Sequence, residues 1–263
     1  MENNAFFGTV LRGLGFDCYA VGARVNGSAD GGVEGYGGWS HMVNIVVLGG
    51  GHQDNGAKDG SRAGGETKYM LDVGFGANGP IIPMRLVAGE ESDNLPPSRS
   101  RLVRESVPGQ RSTRDEHRHW IYQHRTGVGT GTARGAGVAA EEGTGPAIDD
   151  DPDGGWKNMY CFIDQEFLAQ DYKIMNFWTS QSRTVFFTYA IVVVKFLMDG
   201  GELVGKVILN GGIVKRRVGG ETEVLKECEK EEDRVQALER WFGIVLERDE
   251  REGIGGLVTE LKG

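Results

Sequence analysis

A histidine and an aspartate lie at the ends of two successive segments predicted to be β-strands, and this spacing could support proton transfer. His41 opens the segment HMVNIVVL, and Asp72 lies near the end of the segment KYMLDVGF. In an antiparallel pair the start of one strand neighbours the end of the next, so a His–Asp hydrogen bond is geometrically easy. Such an aspartate fixes the imidazole tautomer and favours its charged form. Taken singly, the two residues are more typical of a structural histidine and a turn-forming aspartate, but together they predict a nucleophilic site that lacks its nucleophile.

A glycine-rich stretch follows Asp72 directly and fits the pattern GxGxxG. Residues 74–79 are GFGANG, so Gly74 and Gly76 are candidates for close approach of the backbone to a phosphate. A dinucleotide-binding fold needs a helix to begin at this point, whereas the chain continues GPIIPM with Pro80 and Pro83. The pattern therefore does not indicate a Rossmann fold. A glycine-rich turn with exposed amides can still bind a phosphate group without that fold.

The three cysteines, Cys18, Cys161 and Cys228, are widely spaced and form neither a disulfide framework nor a zinc pattern. This usage favours a reducing, cytoplasmic location. Cys18 is the nearest candidate nucleophile by sequence, but its apolar strand neighbours are typical of an inert core thiol. His117 and His119 alternate onto one strand face with no cysteine or acid at ligand spacing, so no metal site is expected.

The charge balance and the apolar runs argue against two classes of partner. The chain has 263 residues, a net charge of −9 and a pI of about 5.2, which argues against nucleic acid. The run Lys215–Arg217 indicates a solvated strand end rather than a phosphate patch. The longest apolar run, FFTYAIVVVKFLM, is too short to cross a bilayer and contains Lys195, so it predicts a buried strand and no membrane partner.

The elements that must position these residues follow the order helix, strands, helix. MENNAFFGTVLRGLGF predicts a first helix that ends at its glycines. Strands are predicted for the segments FDCYAVGARV, HMVNIVVL, KYMLDVGF, RHWIYQHR, WKNMYCFI, TVFFTYAIVVVKFL, GELVGKVIL and GIVKRRVG. DQEFLAQDYKIMNFWTS predicts a short helix or turn, and KEEDRVQALERWFGI is the clearest helix. This order predicts an α+β fold with an antiparallel sheet or barrel in the middle. The stretch from about 126 to 155 is almost free of bulky apolar residues and predicts a disordered insertion.

The chain resembles the arylamine N-acetyltransferase family, and its fungal members most closely. The resemblance is carried by ENNAFFGTVLRGLGFDCYAVGARV, SHMVNIVV and YMLDVGFGANGPIIPMRLVAG, and by NFWTSQSRTVFF and EEDRVQALERWFGIVL nearer the C-terminus. It covers nearly the whole chain outside the two glycine-rich loops. The implied fold has a cysteine-protease-like triad architecture. In it, residues 1–15 are a remnant of a helical N-terminal domain, 16–163 form a central β-barrel domain, and 164–263 form a C-terminal α/β lid.

The resemblance also implies an activity and a set of site residues. Members of that family pass an acetyl group from acetyl-CoA to an arylamine or hydrazine through a Cys–His–Asp triad, with ping-pong kinetics and no metal, in xenobiotic metabolism. By motif position, His41 and Asp72 match the triad histidine and aspartate. The positions that match the acetyl-CoA site are Gly37, Gly38, Gly74, Gly76, Thr179 and Ser180. The family's Ser-Pro is replaced here by Ser182-Arg183 and a later serine by Val185, which removes a hydroxyl that would bond the cofactor.

The family's nucleophile lies in an RGGxCxE-like motif at the start of the helix that leads into NNxFF. Here the glutamate is Glu2, so the alignment places the cysteine directly before Met1. The expectation is therefore a start of the sequence set too late or a catalytically inactive relative, and the retained His41 and Asp72 favour the first. Two further hypotheses stay open: a non-catalytic protein that binds CoA or an amine, and an inactive fragment. The sequence identifies neither the acceptor amine, nor the range of acyl donors, nor the oligomeric state.

Overall fold

The structure of the protein, a computed structural model, describes residues 1–27, 35–49, 65–127 and 155–263. Most of the insertion predicted near 126–155 and most of the glycine-rich loop GGGHQDNGAKDGSRAGGET lie outside the described residues. In the described residues up to 166 the elements are α1 (Glu2–Gly13), β1 (Asp17–Val25), β2 (His41–Leu48), β3 (Thr67–Leu71), β4 (Met84–Arg85), β5 (Glu91–Asp93), β6 (Arg99–Glu105), β7 (His119–Arg125) and β8 (Lys157–Glu166). The later part adds α2 (Ala169–Gln181), β9 (Val192–Asp199), β10 (Glu202–Asn210), β11 (Ile213–Val218), β12 (Glu221–Glu227), α3 (Glu231–Ala237) and α4 (Arg248–Glu252).

The larger sheet is antiparallel and has the strand order β4-β3-β2-β1-β8-β7-β6-β5. Strand β1 pairs with both β2 and β8. It therefore joins the half of the sheet formed by β2, β3 and β4 to the half formed by β5 to β8. One face of this sheet carries the main core, formed by Val21, Ala23, Val43, Ile45, Met70, Met84, Leu102, Trp120, Tyr122, Met159, Tyr160 and Phe162. His41 has the same parity along β2 as Val43 and Ile45, so the pleat directs it toward this core face.

Helix α1 packs against the other face of β1 and β2. Leu11 and Phe7 contact Cys18 and Val46 there and bury a small second cluster. The helix ends at Gly13 with Leu14 as its C-cap. The chain then reverses through Gly15 at a φ of +89°, a backbone conformation that glycine adopts without steric cost. This packing brings the first turn of α1 to the end of the sheet at which β2 begins.

The smaller sheet has the strand order β12-β11-β10-β9 and is also antiparallel. Its own core lies between one sheet face and the C-terminal helical segment, and its buried members are Val207, Leu209, Val214, Cys228 and Ala237. Strand β8 of the larger sheet runs to Glu166, beyond the predicted domain boundary at 163, and the division into domains stays a prediction.

Two predicted strands are shorter in the structure than in the sequence interpretation. KYMLDVGF leaves the sheet after Leu71, because the chain turns at Asp72 into the glycine-rich loop. The run from Thr184 to Leu197 is not one buried strand, since Phe186–Thr188 form a 3-10 turn and β9 starts only at Val192. Phe187 in that turn is 74% exposed, whereas Phe186 is buried, so only part of this apolar run lies in the interior.

The helices also differ from expectation. The segment predicted as a short helix or turn forms the 13-residue helix α2, and the clearest predicted helix ends its regular part at Ala237 and continues as a π-helical turn. In the run Lys215–Arg217, predicted to be solvated, Arg217 is buried. Within the described ranges, no helix is both long enough and apolar enough to cross a membrane.

Candidate active site

The histidine and the aspartate that the sequence pairs are in direct contact. Nε2 of His41 donates to Oδ2 of Asp72 over 2.7 Å, and both side chains are almost completely buried. Because an ionised carboxylate only accepts, this bond places the imidazole proton on Nε2. Nδ1 is then the ring nitrogen that can accept a proton from a neighbouring group. The predicted contact between the two strand ends is therefore present, with the orientation that a general base requires.

Asn4, in the first turn of α1, holds the aspartate from the other side. Its Nδ2 donates to Oδ1 of Asp72 over 2.8 Å and to the carbonyl of Met42 over 2.6 Å. Its Oδ1 accepts from the amide of Val73 over 2.9 Å, and its own carbonyl accepts from the side chain of Asn44 over 2.9 Å. Asn4 is 0% exposed, so this single side chain ties helix α1, the start of β2 and the end of β3 together.

Three donors converge on the carboxylate of Asp72: the imidazole of His41, the amide side chain of Asn4 and the backbone amide of Gly74 at 2.9 Å. Burial alone would raise the pKa of Asp72. The charge and hydrogen bond of His41, with the bonds from Asn4 and Gly74, outweigh burial and hold the pKa of this carboxyl below its usual 3.8. Asp72 therefore stays ionised and can stabilise an imidazolium on His41.

Aromatic side chains enclose the imidazole. The ring of Phe75 meets His41 edge-on at 5.4 Å between centroids, and the ring of Tyr160 lies 5.2 Å from it. Tyr160 in turn stacks on Tyr122 at 5.0 Å. Burial and the charge of Asp72 raise the pKa of Tyr160 well above its usual value, so its phenol stays neutral beside the dyad. This wall limits water around the ring and fixes its plane.

The glycine-rich loop runs directly from the dyad. The amide of Gly74 bonds Asp72, and a side chain at this position would place its Cβ 2.9 Å from Nδ2 of Asn4. Gly76 has a φ of +95° and begins a tight turn in which the amide of Gly79 donates to the carbonyl of Gly76 over 3.1 Å. Gly74 is thus required for close packing beside the dyad and Gly76 for the turn.

The second candidate cofactor loop, with Gly37 and Gly38, immediately precedes β2. Both glycines are exposed, and the loop is held by Arg24 of β1. The guanidinium of Arg24 donates to the carbonyl of Gly37 over 3.0 Å and lies 3.8 Å from the ring centroid of Trp39. The loop is therefore anchored by Arg24 and leads along the chain to His41. Its glycine backbone is exposed and accessible to a ligand.

Thr179 and Ser180, the remaining predicted cofactor residues, lie in the last turns of α2. Thr179 is buried, and its hydroxyl donates to the carbonyls of Met175 and Asn176 in its own helix, both over 3.1 Å. The hydroxyl of Ser180 is exposed and donates to the carbonyl of Phe177 over 3.3 Å. Both hydroxyls therefore bond helix carbonyls, and a role toward a cofactor stays a prediction for both.

The three cysteines, all in the described part of the chain, do not face His41. Cys18 alternates with the core-facing Tyr19 and packs under α1, and Cys161 lies between Tyr160 and Phe162, which face the core. Cys228 belongs to the core of the smaller sheet. Burial raises the pKa of Cys18, and it raises the pKa of Cys161 to about 12, so these are inert core thiols. Among the described residues no cluster of His, Cys, Asp and Glu could hold a metal ion.

Sequence reasoning missed Asn4, Tyr160 and Lys206, each of which contacts the dyad or its loop. Asn4 and Tyr160 are distant from His41 and Asp72 in the sequence, and Lys206 reaches the loop from the smaller sheet. Of these three residues only Asn4 has a signal in the sequence, because this polar residue lies on the same face of the first helix as the apolar Leu11.

The chain matches the model of the N-acetyltransferase family over residues 1–251. Among known proteins, N-malonyltransferase FDB2 of Gibberella moniliformis is 29% identical to it over 270 residues. That alignment covers 97% of this chain and 66% of the fungal protein, so the chain spans slightly less than two thirds of its relative's length.

Solved structures of arylamine N-acetyltransferases share this fold. The enzyme from Mycobacterium abscessus superposes with a TM-score of 0.65 at 21% identity, covering 94% of this chain and 68% of that one. The enzyme from Mycobacterium marinum, solved in complex with CoA, gives a TM-score of 0.64 at 21% identity and covers 96% and 73%. The α+β fold class expected from the sequence is confirmed by these superpositions.

Proposed function

The chain belongs to the arylamine N-acetyltransferase family, and from this premise we propose that its site transfers an acetyl group from acetyl-CoA to an arylamine or hydrazine. The observation that carries the proposal is the 2.7 Å bond between His41 and Asp72, next to the first turn of α1. A buried, ionised aspartate that orients a histidine is the acid–base half of a cysteine triad.

In the proposed reaction a cysteine thiol gives its proton to Nδ1 of His41, and Asp72 stabilises the resulting imidazolium. The thiolate attacks the thioester carbonyl of acetyl-CoA, and CoA leaves as a thiol after taking the proton from His41. The acetyl group then resides on the cysteine sulfur. An amine attacks this thioester while Nδ1 of His41 accepts the proton that the amine loses, and collapse returns a free thiol and an N-acetylated amine.

We propose that the sulfur belongs directly before Met1, and the position of Asn4 supports this placement. Cys18 and Cys228 do not serve, because they belong to other packed clusters, and Cys161 does not, because it alternates with the core-facing Tyr160 and Phe162. The position directly before Met1 lies four residues ahead of Asn4, so a continued helix would place its side chain one turn above Asn4 on the same face. That side chain would project beside Asp72 and His41 at the positive end of α1, where the helix dipole lowers a thiol's pKa.

The loops Gly37–Gly38 and Gly74–Gly79 supply the backbone surfaces that we propose for the cofactor. Exposed glycine backbone lets peptide amides approach phosphate oxygens closely. The Mycobacterium marinum relative is solved with CoA, which supports the same donor here. The fungal relative is named an N-malonyltransferase, so malonyl-CoA is the second donor to test.

The test adds a cysteine directly before Met1 and measures acylation of 4-aminobenzoate and of phenylhydrazine with acetyl-CoA or malonyl-CoA. We expect turnover with the added cysteine, an acyl adduct on that residue, and a loss of about 10⁶ in kcat without it. A matched control separates the added cysteine from Met1 by one alanine, which rotates the thiol by about 100° away from the Asn4 face. Equal turnover by the control, or turnover by the unextended chain, would contradict the assignment of the sulfur.

A second candidate function, binding of CoA or an amine without transfer, is favoured by the position of the three cysteines away from His41. It predicts that the unextended chain binds CoA in calorimetry and releases it without acylating an amine. No heat of CoA binding to the unextended chain, measured on folded protein, would exclude it.

A further inference from the structure

Lys206 of the smaller sheet reaches across to the glycine-rich loop of the larger one. Its ammonium donates to the carbonyl of Ala77 over 2.9 Å and to Oδ1 of Asn78 over 3.3 Å. The residue is only 3% exposed, which is unusual for a lysine. Along β10, its neighbours Val207 and Leu209 belong to buried core, with Val207 facing the helical segment of the smaller sheet. Lys206 therefore projects from the opposite face, toward the loop.

The turn that Lys206 contacts is held from a second direction as well. The hydroxyl of Tyr122, in the core of the larger sheet, donates to the carbonyl of Asn78 over 2.9 Å. The backbone of the turn closes with the bond from Gly79 to Gly76. Since the carbonyl and the next amide of a trans peptide point in opposite directions, fixing the carbonyl of Ala77 on Lys206 also fixes the direction of the Asn78 amide.

The face of the smaller sheet that carries Lys206 holds a second buried cation. Arg217 lies directly opposite Lys206 in the ladder between β10 and β11, and it is also buried. Directly opposite residues project from the same face of an antiparallel pair. Two positive side chains therefore project from the same face of the smaller sheet, and one of them, Lys206, contacts the loop.

We propose that Lys206 is a positioning residue for the Gly74–Gly79 loop, which it holds in the conformation that receives the diphosphate of an acyl-CoA. The identity of the ligand rests on the proposed function, whereas the ordering of the loop by Lys206 does not. Loss of the ammonium removes one bond to the carbonyl of Ala77 and one to the side chain of Asn78. The turn keeps the bond from Tyr122 to the carbonyl of Asn78, the bond from Asn94 to the carbonyl of Gly79 and its own backbone bond, none of which holds the carbonyl of Ala77.

The first experiment measures hydrogen exchange of peptides covering residues 73–79 in the chain without ligand. We expect Lys206→Met to speed exchange there by about tenfold or more, the effect of one lost charge-assisted hydrogen bond, and Lys206→Arg to restore part of the protection. Lys215→Met, which removes an exposed lysine from the neighbouring strand, is the matched control and leaves the loop unchanged. If Lys206→Met does not fold, Asn78→Ala removes one of the two acceptors, and a several-fold increase is expected.

The second experiment compares the affinity of the same variants for CoA and for pantetheine, which has no diphosphate. A positioning role predicts that Lys206→Met weakens CoA binding by about tenfold and leaves pantetheine binding nearly unchanged, whereas general damage to the fold weakens both. Absence of CoA binding by the unsubstituted chain would refute the proposed function, and the exchange data would still decide the role of Lys206. Unchanged exchange of the loop in a folded Lys206→Met protein would overturn the inference.

Discussion

Replacement of Asn4 by alanine should destabilise the protein far more than its position near one end of the chain suggests. The substitution removes both amide hydrogens and the amide oxygen from a site that is fully buried. Three partners then lose a bond: the carboxylate of Asp72, the carbonyl of Met42 and the amide of Val73.

The magnitude follows from the kind of bond that is lost. A hydrogen bond to an ionised group contributes about 1.5–3 kcal/mol, and a neutral one about 1 kcal/mol. Asp72 keeps the hydrogen bonds from His41 and Gly74, so its negative charge still has two donors. We therefore expect Asn4→Ala to lower the free energy of unfolding by about 3–5 kcal/mol, a large share of the roughly 5–15 kcal/mol typical of a folded protein.

Urea unfolding at neutral pH, followed by circular dichroism, measures this change. The matched control is Asn3→Ala, which removes the same amide from the adjacent, exposed position and should stay within about 0.5 kcal/mol of the unsubstituted protein. The slope of the unfolding free energy against urea should be the same in all three proteins, so that midpoints report stability. A loss below about 1 kcal/mol for Asn4→Ala would refute the role assigned to Asn4.

Three further changes test the surroundings of the dyad. The pKa of Asp72 is lowered in the folded protein, so its stabilisation is complete above the unfolded value of 3.8 and is lost as the pH falls through the folded pKa; Asp72→Asn should flatten the acid limb of a stability curve measured by urea unfolding. Gly74→Ala places a Cβ 2.9 Å from Nδ2 of Asn4, which its bonds hold in place, and should cost about 1–3 kcal/mol of unfolding free energy in the same assay. Gly22→Ala directs a Cβ to 2.3 Å from the ring of Phe167 and should lower the melting temperature by several degrees in calorimetry.

Gly13→Ala is the control for both glycine substitutions, because a Cβ there meets no atom within 4 Å and the residue is helical. It should leave stability unchanged or raise it slightly. Stability of Gly74→Ala or Gly22→Ala equal to that of Gly13→Ala would show that the packing at that site gives way freely. For Asp72→Asn, an acid limb as steep as that of the unsubstituted protein would mean that other carboxyl groups cause it.

The sequence predicts strands well where a run of β-branched residues has turn residues on both sides. HMVNIVVL is the clearest case, since its bounds in the structure are those of the predicted segment. Strand β6 is not predicted by the same reasoning, because its sequence RSRLVRE carries three arginines. The structure shows how one of them is accommodated: Arg101 donates to the side chain of Gln123 over 2.7 Å and lies 4.2 Å from the ring centroid of Trp156. Partners from other strands, which no local pattern reveals, make this charged segment a strand.

The dyad could be predicted because its geometry is local to one pair of neighbouring strands. In the observed antiparallel register, in which Asn44 pairs with Leu71, His41 and Asp72 lie at neighbouring strand ends, as expected when two adjacent segments of similar length pair along their full length. The side chains that other elements contribute to the dyad and its loop could not be predicted. Asn4 depends on how α1 crosses the sheet, and Lys206 depends on how the smaller sheet packs on the loop. Local periodicity describes neither of these arrangements.

The dependence of the site on packing has a consequence for function. Asp72 owes one of its three hydrogen bonds to Asn4, and Asn4 is buried because Leu11 and Phe7 fix α1 against β1 and β2. Loosening that apolar contact would expose the carboxylate to water and weaken its hold on His41, although neither residue of the dyad has changed. The same reasoning applies to Lys206 and the turn at Ala77. The proton transfer that we assign to His41 therefore depends on the packing of α1 against the sheet. A substitution such as Leu11→Ala should lower both the stability of the protein and the hold of Asp72 on His41.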